Sequence, residues 1–223
     1  MSLATINGAP VEWLDLHLPW SGAWSLRAQV DLDADEALPL GPLSLIFDDG
    51  TRSITYTGTI LQSSADEGTG SIVAVGGAGG LRGRIAGEDY ARPPPRLAIA
   101  AIVAACGEAL GDVSTVQGLP LIEPVYQRLA GRGDRQLDAL CSLVGARWYV
   151  AADGRVNAEL PTWPAYTRDA FLTRLQNTNG EARGEPDIPD IFPGMTVDGL
   201  RVASARYTLA EDGLSVMLGG VPT

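Results

Sequence analysis

The sequence predicts a mainly β protein with a smaller α/β part, in which a discontinuous β-barrel or sandwich domain is interrupted by an inserted α/β domain. Alternating strand patterns fill residues 1–90, helical patterns occur between residues 91 and 160, and strand patterns return afterwards. We therefore assign residues 1–90 and 161–223 to the β domain and residues 91–160 to the insertion. Three consecutive units are a less economical alternative, because the final strands alone could hardly bury a core.

The first ninety residues contain a regular strand pattern that opens with the dipeptide Asn7-Gly8. This pair tolerates the positive φ angles of a tight hairpin, so we expect the chain to begin with one. A second hairpin is predicted around Asp48-Asp49-Gly50, which separates two strand-like stretches. The predicted strands cover residues 14–18, 24–30, 43–47, 52–61 and 71–75.

The inserted part begins where three consecutive prolines, residues 93–95, end the strand pattern. A helix is predicted over about residues 96–110, and its apolar residues lie nearly all the way round, which is typical of a helix packed between surfaces. A second helix is predicted to start after Asp134 as N-cap and to stop at Gly145. Strands at 147–150 and 155–160 then flank a turn containing Asp153-Gly154.

The helical spacing also predicts how the inserted part packs. Apolar residues of the second helix should bury against the first helix and against the strand that follows. The residues concerned are Leu137, Leu140 and Val144 on the second helix, Leu97 and Ile102 on the first, and Trp148 on the strand.

The stretch 161–193 is the least regular part of the chain, and strand patterns return after it at 195–197, 200–209 and 214–218. Long loops of this kind in compact proteins are usually functional or disordered. We expect a candidate assembly interface to include the aromatic residues Trp163, Tyr166 and Phe171, together with Trp20 at a predicted strand end. Packing of the loop aromatics onto their own domain remains an open alternative.

The composition limits the possible classes of protein. The net charge is −11 and all 16 basic residues are scattered arginines, which argues against sequence-specific nucleic-acid binding. No apolar run approaches the roughly 20 residues of a membrane span. The first ten residues lack a signal-peptide pattern, so we expect folding in a cytoplasm, with Cys106 and Cys141 reduced.

Candidate catalytic and ligand-binding motifs fail on their spacing. His17 is the single histidine and lies in the polar phase of a strand, so a histidine-based triad or a zinc site is not expected. The acidic run 31–36 has Glu36 where a calcium loop requires glycine. The glycine run 76–80 lacks phosphate-loop spacing and predicts a flexible turn. We therefore expect no catalytic residue, no cofactor and no metal.

Three stretches together carry a family resemblance: SIVAVGGAGGLRGRIAGEDY at 71–90, the helix after the prolines, and GRGDRQLDALCSLVGARWYVAADGRV at 131–156. With them the sequence resembles the tail-tip or baseplate hub proteins of tailed bacteriophages. The resemblance implies a β-barrel that gives way to an inserted α/β domain before the chain returns to the barrel. Many hub proteins are longer and have a second complete barrel. This sequence is too short to contain one.

The resemblance also implies a role and a set of partners. A hub is a structural subunit of the virion tail, without enzymatic activity. Copies form a ring, commonly a trimer, that connects the tail tube to the distal tail protein and to spike or receptor-binding proteins.

Two other classes stay open from the sequence. A carbohydrate- or receptor-binding β module would expose Trp13, Trp20 and Trp24 as a stacking surface. A carboxylate-dependent hydrolase would need two carboxylates facing one cleft.

Overall fold

The computed structural model describes residues 3–32, 38–122, 125–168, 173–174 and 180–222. Short 3-10 turns at Gly80–Arg82 and Ser114–Val116 accompany the regular elements. The helices are α1 (Pro95–Ala105) and α2 (Gly133–Leu143). The strands are β1 (Ala4–Ile6), β2 (Ala9–Pro19), β3 (Ser25–Asp31), β4 (Gly41–Asp48), β5 (Ser53–Asp66), β6 (Thr69–Gly76), β7 (Arg84–Ile85), β8 (Glu88–Ala91), β9 (Val125–Arg128), β10 (Gly131–Arg132), β11 (Arg147–Val150), β12 (Val156–Glu159), β13 (Thr173–Arg174), β14 (Glu181–Gly184), β15 (Thr196–Val197), β16 (Leu200–Ala210) and β17 (Gly213–Pro222).

The first six strands form a closed barrel with the order β1-β4-β5-β6-β3-β2, and β1 closes it by pairing with β2. The predicted opening hairpin is confirmed, because Asn7 and Gly8 both have positive φ at the β1–β2 turn. Alternate residues of β2 and β3 point into the barrel and are buried, as the sequence pattern predicts. The predicted fold class, a β-barrel with a smaller α/β part, is confirmed.

The returning strands attach to the barrel through β2. Strand β1 covers only Ala9 and Pro10 on one edge of β2, which leaves Leu14 to Pro19 on that edge free to pair with β16. From β16 the sheet continues through β17, β14 and β13, and β15 pairs with the far end of β16. The final strands therefore extend a barrel that is already closed, and β2 is the strand to which they pair.

The inserted part packs mostly as predicted. Leu137, Leu140, Ile102 and Trp148 are all buried. The prediction for Leu97 is wrong, because 52% of its surface is exposed. Helix α1 buries only the face that carries Ala98, Ile99, Ile102 and Val103, and Val144 at the end of α2 is only partly buried.

Both predicted helix boundaries shift for identifiable reasons. Helix α1 ends at Ala105 instead of about residue 110, because Gly107 adopts a left-handed conformation just beyond it. Helix α2 begins at Gly133 with Arg132 as N-cap, so the prediction that Asp134 caps it is wrong. The Asp134 carboxylate instead accepts a hydrogen bond from Arg132 Nε at 3.1 Å. Gly133 is required there, because a Cβ would lie 2.2 Å from Cys106 Sγ.

The hairpin β11–β12 joins the inserted part to the barrel through backbone hydrogen bonds. The Gly22 N–H donates to the Trp148 carbonyl at 2.9 Å, and the Val150 N–H donates to the Gly22 carbonyl at 3.2 Å. On the other side, the Thr57 N–H donates to the Ala152 carbonyl at 2.7 Å. The hairpin forms a sheet of its own that is attached to the barrel at these two places.

The glycine run after β6 also joins the two parts. It is a turn, as predicted, and its Ala78 and Gly80 N–H groups donate to the Glu108 carboxylate at 2.7 and 2.8 Å. Gly79 has a φ of 83°, and a Cβ on Gly80 would lie 1.9 Å from the Cys106 carbonyl oxygen. The turn therefore holds a carboxylate of the chain itself beside the end of α1.

Both cysteines are free thiols, as expected, and burial raises the pKa of Cys141 to about 12. In the described part of the chain no helix is long and apolar enough to cross a membrane.

Candidate assembly interface

An aromatic stack joins the end of β2 to the irregular stretch after β12. The rings of Trp20 and Trp163 lie 4.7 Å apart with an angle of 8° between their planes. The Arg147 guanidinium lies 4.3 Å from the Trp20 ring centroid, and Arg201 lies 5.6 Å from the ring of Trp163. Barrel, inserted part and returning segment therefore meet at this stack, and both indoles remain partly exposed.

Arg147 is buried and is fixed from several sides. Its Nε donates to Glu159 Oε1 at 2.9 Å, and its NH1 group donates to the Trp20 carbonyl at 3.3 Å. The guanidinium also lies 4.8 Å from the Tyr149 ring, whose hydroxyl donates to Glu159 at 3.2 Å. Gly194 gives it space, since a Cβ there would approach the guanidinium to 2.2 Å. The ion pair with Glu159 and the contacts with the Trp20 and Tyr149 rings hold the Arg147 guanidinium in one position.

A cavity of about 330 Å³ opens beneath the stack. Trp24 and Tyr56 line it from the barrel, the hairpin β11–β12 forms a second wall, and Phe192 and Met195 form a third. The lining is mainly apolar, and its charged groups, Arg147 and Glu159, are paired with each other.

Residues 187–192, here called the strap, cross the barrel next to this cavity. Two buried tyrosines from different strands hold the strap by its backbone. Tyr56 donates its hydroxyl to the Pro189 carbonyl at 2.8 Å. The Tyr207 hydroxyl accepts from the Ile191 N–H and donates to the Ile191 carbonyl, both at 2.8 Å. Burial raises the pKa of both tyrosines, so they remain protonated donors.

A group of charged residues fastens the outer side of the strap. Arg52, from the β4–β5 turn, contacts Asp187 and Asp190 at 3.1 Å each. Asp190 also pairs with Arg168 and accepts a hydrogen bond from the Tyr166 hydroxyl at 2.7 Å. Burial, reinforced by the hydrogen bond to Asp190, raises the pKa of Tyr166 to about 12. Arg52 thus attaches the strap to a part of the chain more than a hundred positions earlier.

The candidate interface residues from the sequence fall into three groups. Trp20 and Trp163 come together in the stack, and Tyr166 lies beside the strap. Phe171 lies outside the described residues. Of the other aromatic candidates, Trp24 is buried in the barrel core and Trp13 is partly buried on β2.

Sequence reasoning missed the residues that organise this surface. Arg147, Asp190 and Tyr207 belong to three different segments, which are β11, the strap and β16, and none of them lies in a recognisable local motif. The one available signal was the position of Arg147 directly before Trp148 in a strand pattern. Because arginines are common on the outward face of strands, this position did not mark Arg147 as part of a site. Their roles depend on tertiary contacts.

The described residues give little support for metal binding or for histidine-based catalysis. Among them no group of three or more His, Cys, Asp and Glu side chains could hold a metal ion. His17 points outward from β2, as the strand pattern predicts. The acidic run considered as a calcium loop lies largely outside the described residues, since residues 33–37 are not among them.

The fold described above is similar to that of several solved tail proteins. The 43 kDa tail protein of prophage MuSo2 from Shewanella oneidensis is 10% identical, with a TM-score of 0.66 over 98% of this chain and 97% of that one. A tail protein of Neisseria meningitidis is 12% identical, with a TM-score of 0.62 over 98% of this chain and 95% of its own.

A third similar structure comes from Escherichia coli. This component of the type VI secretion system, described as structurally similar to bacteriophage T4 tail proteins, is 12% identical, with a TM-score of 0.65 over 99% of this chain and 76% of its own. The sequence matches no protein-family model and none of the curated proteins with which it was compared. The resemblance predicted from the three stretches is therefore confirmed at the level of the fold.

Proposed function

We propose that this protein is a structural subunit of a phage tail, located at the tail tip or baseplate as a hub. Copies of the chain form a ring, commonly of three, that joins the tail tube to the distal tail protein and to spike or receptor-binding proteins. The role is one of assembly and is not enzymatic. One observation carries the proposal: the barrel, the insertion and the returning strands together match tail proteins over almost the entire chain.

We propose the same discontinuous organisation that the sequence predicts, with the inserted α/β unit interrupting a β domain of residues 1–90 and 161–223. The pairing of β16 with β2 supports it, because the last strands depend on the first. Strands β7 and β8 pair with β10 and β9, so the proposed insertion starts soon after β6.

The proposed contact surface contains Trp20, Trp163, Tyr166 and Phe171. The partly exposed Trp20–Trp163 stack supports it, because rigid aromatic groups next to a fixed arginine are typical anchors of protein interfaces. The apolar cavity beneath the stack would receive apolar side chains of a neighbour.

The geometry weighs against a carbohydrate-binding module. Trp163 and Arg147 both lie within stacking distance of the Trp20 ring, which leaves little of that ring for a sugar. Trp24 is buried and offers no stacking surface.

Mass measurement of the purified protein, alone and mixed with other tail proteins, tests the proposal. We expect a ring of copies, alone or on addition of a neighbouring tail protein. Deletion of residues 166–179 should abolish assembly while the barrel stays folded, as judged by circular dichroism. The exposed substitution Arg155→Gln, far from the stack, is the control and should assemble normally. A monomer under all conditions would overturn the proposed ring. Normal assembly of the deletion variant would overturn the proposed contact surface.

A further inference from the structure

A second surface lies on the outer wall of the barrel, where β2, β3, β6 and β5 are neighbours. An open groove of about 450 Å³ crosses these strands. One row of outward side chains runs along it. Trp13 on β2 pairs with Gln29 on β3. Gln29 pairs with Ser71 on β6, which in turn pairs with Ser64 on β5. Adjacent strands lie about 4.8 Å apart, so the row is about 14 Å long.

Two β-bulges turn side chains of this groove outward. The pairing of β2 with β3 passes directly from Val11 to Trp13, so Glu12 is an extra residue. Because side chains of a regular strand alternate, Trp13 would otherwise share the inward face with Val11. In β5 the extra residue is Leu61, and Gln62 after it faces outward. Bulges in two separate strand pairs therefore shape one groove, and bulges commonly re-aim side chains at functional sites.

The indole of Trp13 is partly exposed in this groove and is not used by the fold in another contact. Within the described part of the chain it forms no ring stack and its Nε1 donates no hydrogen bond. Trp20, by contrast, stacks on Trp163, and Trp24 is buried in the barrel core. Trp13 thus offers a ligand an aromatic surface that Trp20 and Trp24 do not.

The other side chains along the row are neutral and polar. Exposed amides and hydroxyls that form no side-chain hydrogen bond among the described residues are those of Gln29, Gln62, Ser64 and Ser71. Each amide and each hydroxyl can both donate and accept hydrogen bonds. Among the described residues that line the groove, Arg27 is the single charged one. The groove therefore combines one aromatic ring with groups that serve as donor and acceptor alike.

We infer that this groove binds a neutral oligosaccharide. A pyranose ring carries C–H groups on its faces, which stack on an indole, and hydroxyls at its edge, which both donate and accept. A row about 14 Å long accommodates about three such rings. A small anion would require more guanidinium groups than Arg27 supplies, and a cation would require carboxylates in the lining.

A peptide fits this groove less well than a sugar. The backbone groups of β3 and β6 already pair with a strand on each side, so they cannot satisfy the N–H and carbonyl groups of an added peptide. The groove is complete within one chain. The inference consequently goes beyond the proposed function and does not depend on the ring or on the contact surface around Trp20.

An NMR titration of the five tryptophan indole N–H signals with maltotriose, cellotriose and chitotriose tests the inference. Trp13→Phe identifies the Trp13 signal by its loss. One ring stack and a few hydrogen bonds give an affinity near the millimolar range, so each sugar is added to about 20 mM. We expect the Trp13 signal to shift saturably with at least one of the sugars, while the signal of the buried Trp24 stays in place.

Substitutions then locate the site. Trp13→Ala should weaken binding of that sugar about tenfold or more, because the stacking surface is lost. Trp20→Ala is the matched control, since it removes another partly exposed indole outside the groove, and it should bind normally. Thermal unfolding checks that each variant folds as the unmodified protein does.

A second pair of variants tests the polar groups and leaves every tryptophan in place. Gln29→Ala with Gln62→Ala should weaken binding about fivefold, because about two hydrogen bonds are lost. Gln117→Ala with Gln127→Ala changes two exposed glutamines elsewhere and should have no effect.

Three results would overturn the inference. The first is the absence of a saturable Trp13 shift with all three sugars. The second is equal weakening by Trp13→Ala and Trp20→Ala, which would show unspecific contact with exposed indoles. The third is loss of assembly in Trp13→Ala without any sugar binding by the unmodified protein, which would assign this face to a subunit contact. Sugar binding by a protein that stays monomeric would overturn the ring and leave this inference intact.

Discussion

The barrel and the strap are held in place by different kinds of interaction. Each barrel strand pairs on both sides through backbone hydrogen bonds, and its inward side chains share one core. The strap, by contrast, is held mainly by side chains, such as Tyr207 from β16 and Arg52 from the β4–β5 turn. Loss of a barrel side chain should therefore weaken the whole fold, whereas loss of a charged strap contact should open the strap locally.

The largest expected effect tests the barrel core. Trp24 packs against Gly58 and Gly76, where an added Cβ would lie 2.6 and 2.5 Å from the indole. Trp24→Ala should lower the free energy of unfolding by about 3–5 kcal/mol, because it leaves a large cavity. Trp20→Ala, which removes a partly exposed stack, should cost about 1 kcal/mol. Chemical denaturation measures both, and equal losses would remove the distinction between core and surface indoles.

The next effect concerns the buried anchor of the strap. Tyr207→Phe removes both hydrogen bonds to Ile191 and leaves two buried backbone groups without their partner. We expect a loss of about 2 kcal/mol in the free energy of unfolding. Tyr90→Phe, which removes an exposed hydrogen bond to Glu88, is the matched control and should cost about 0.5 kcal/mol or less. Similar values for the two variants would contradict the anchoring role of Tyr207.

A smaller and local effect is expected at the charged side of the strap. Asp190→Asn weakens the contacts with Arg52 and Arg168 while the tyrosine anchors remain. Hydrogen exchange of the strap amides should accelerate about fivefold, with the barrel unchanged. Asp153→Asn, which loses an exposed ion pair with Arg155, should leave exchange in the strap unchanged. Faster exchange throughout the barrel would show that the strap and barrel open together.

The smallest effect is a dependence on alkaline pH. The pKa of Tyr166 is raised to about 12, above the ordinary value of 10, so the folded protein favours the neutral phenol. Its contribution is present in full below pH 10 and is lost as the pH rises to about 12. The stability difference between the unmodified protein and Tyr166→Phe should therefore shrink across this window. A difference that stays constant would show that Tyr166 and Asp190 do not interact in solution.

The same contrast explains which parts of the fold could be predicted from the sequence. Residues 14–18 of β2 and the whole of β3 alternate between apolar and polar residues, and Asn7-Gly8 marks the hairpin before β2. Such signals are local, and the structure follows them. The predicted start of α2 was wrong, because Gly133 lies against Cys106 at the end of the first helix and no local sequence pattern contains that contact.

The candidate site could be predicted only in part. Trp20 and Trp163 were identifiable as aromatic residues at strand ends and in loops, but not as a pair. The strap could not be foreseen, since the hydrogen bond from Tyr56 to Pro189 spans 133 residues. Interactions over such distances depend on the completed barrel and leave no periodic trace in the sequence.

Electron cryo-microscopy of an assembled tail that contains this chain tests the central claim most directly. The account predicts density for the barrel and its inserted part in a ring at the tip of the tail tube, with neighbouring tail proteins in contact with it. Purified tails that lack the chain, or a single copy placed away from the tube axis, would contradict a hub role.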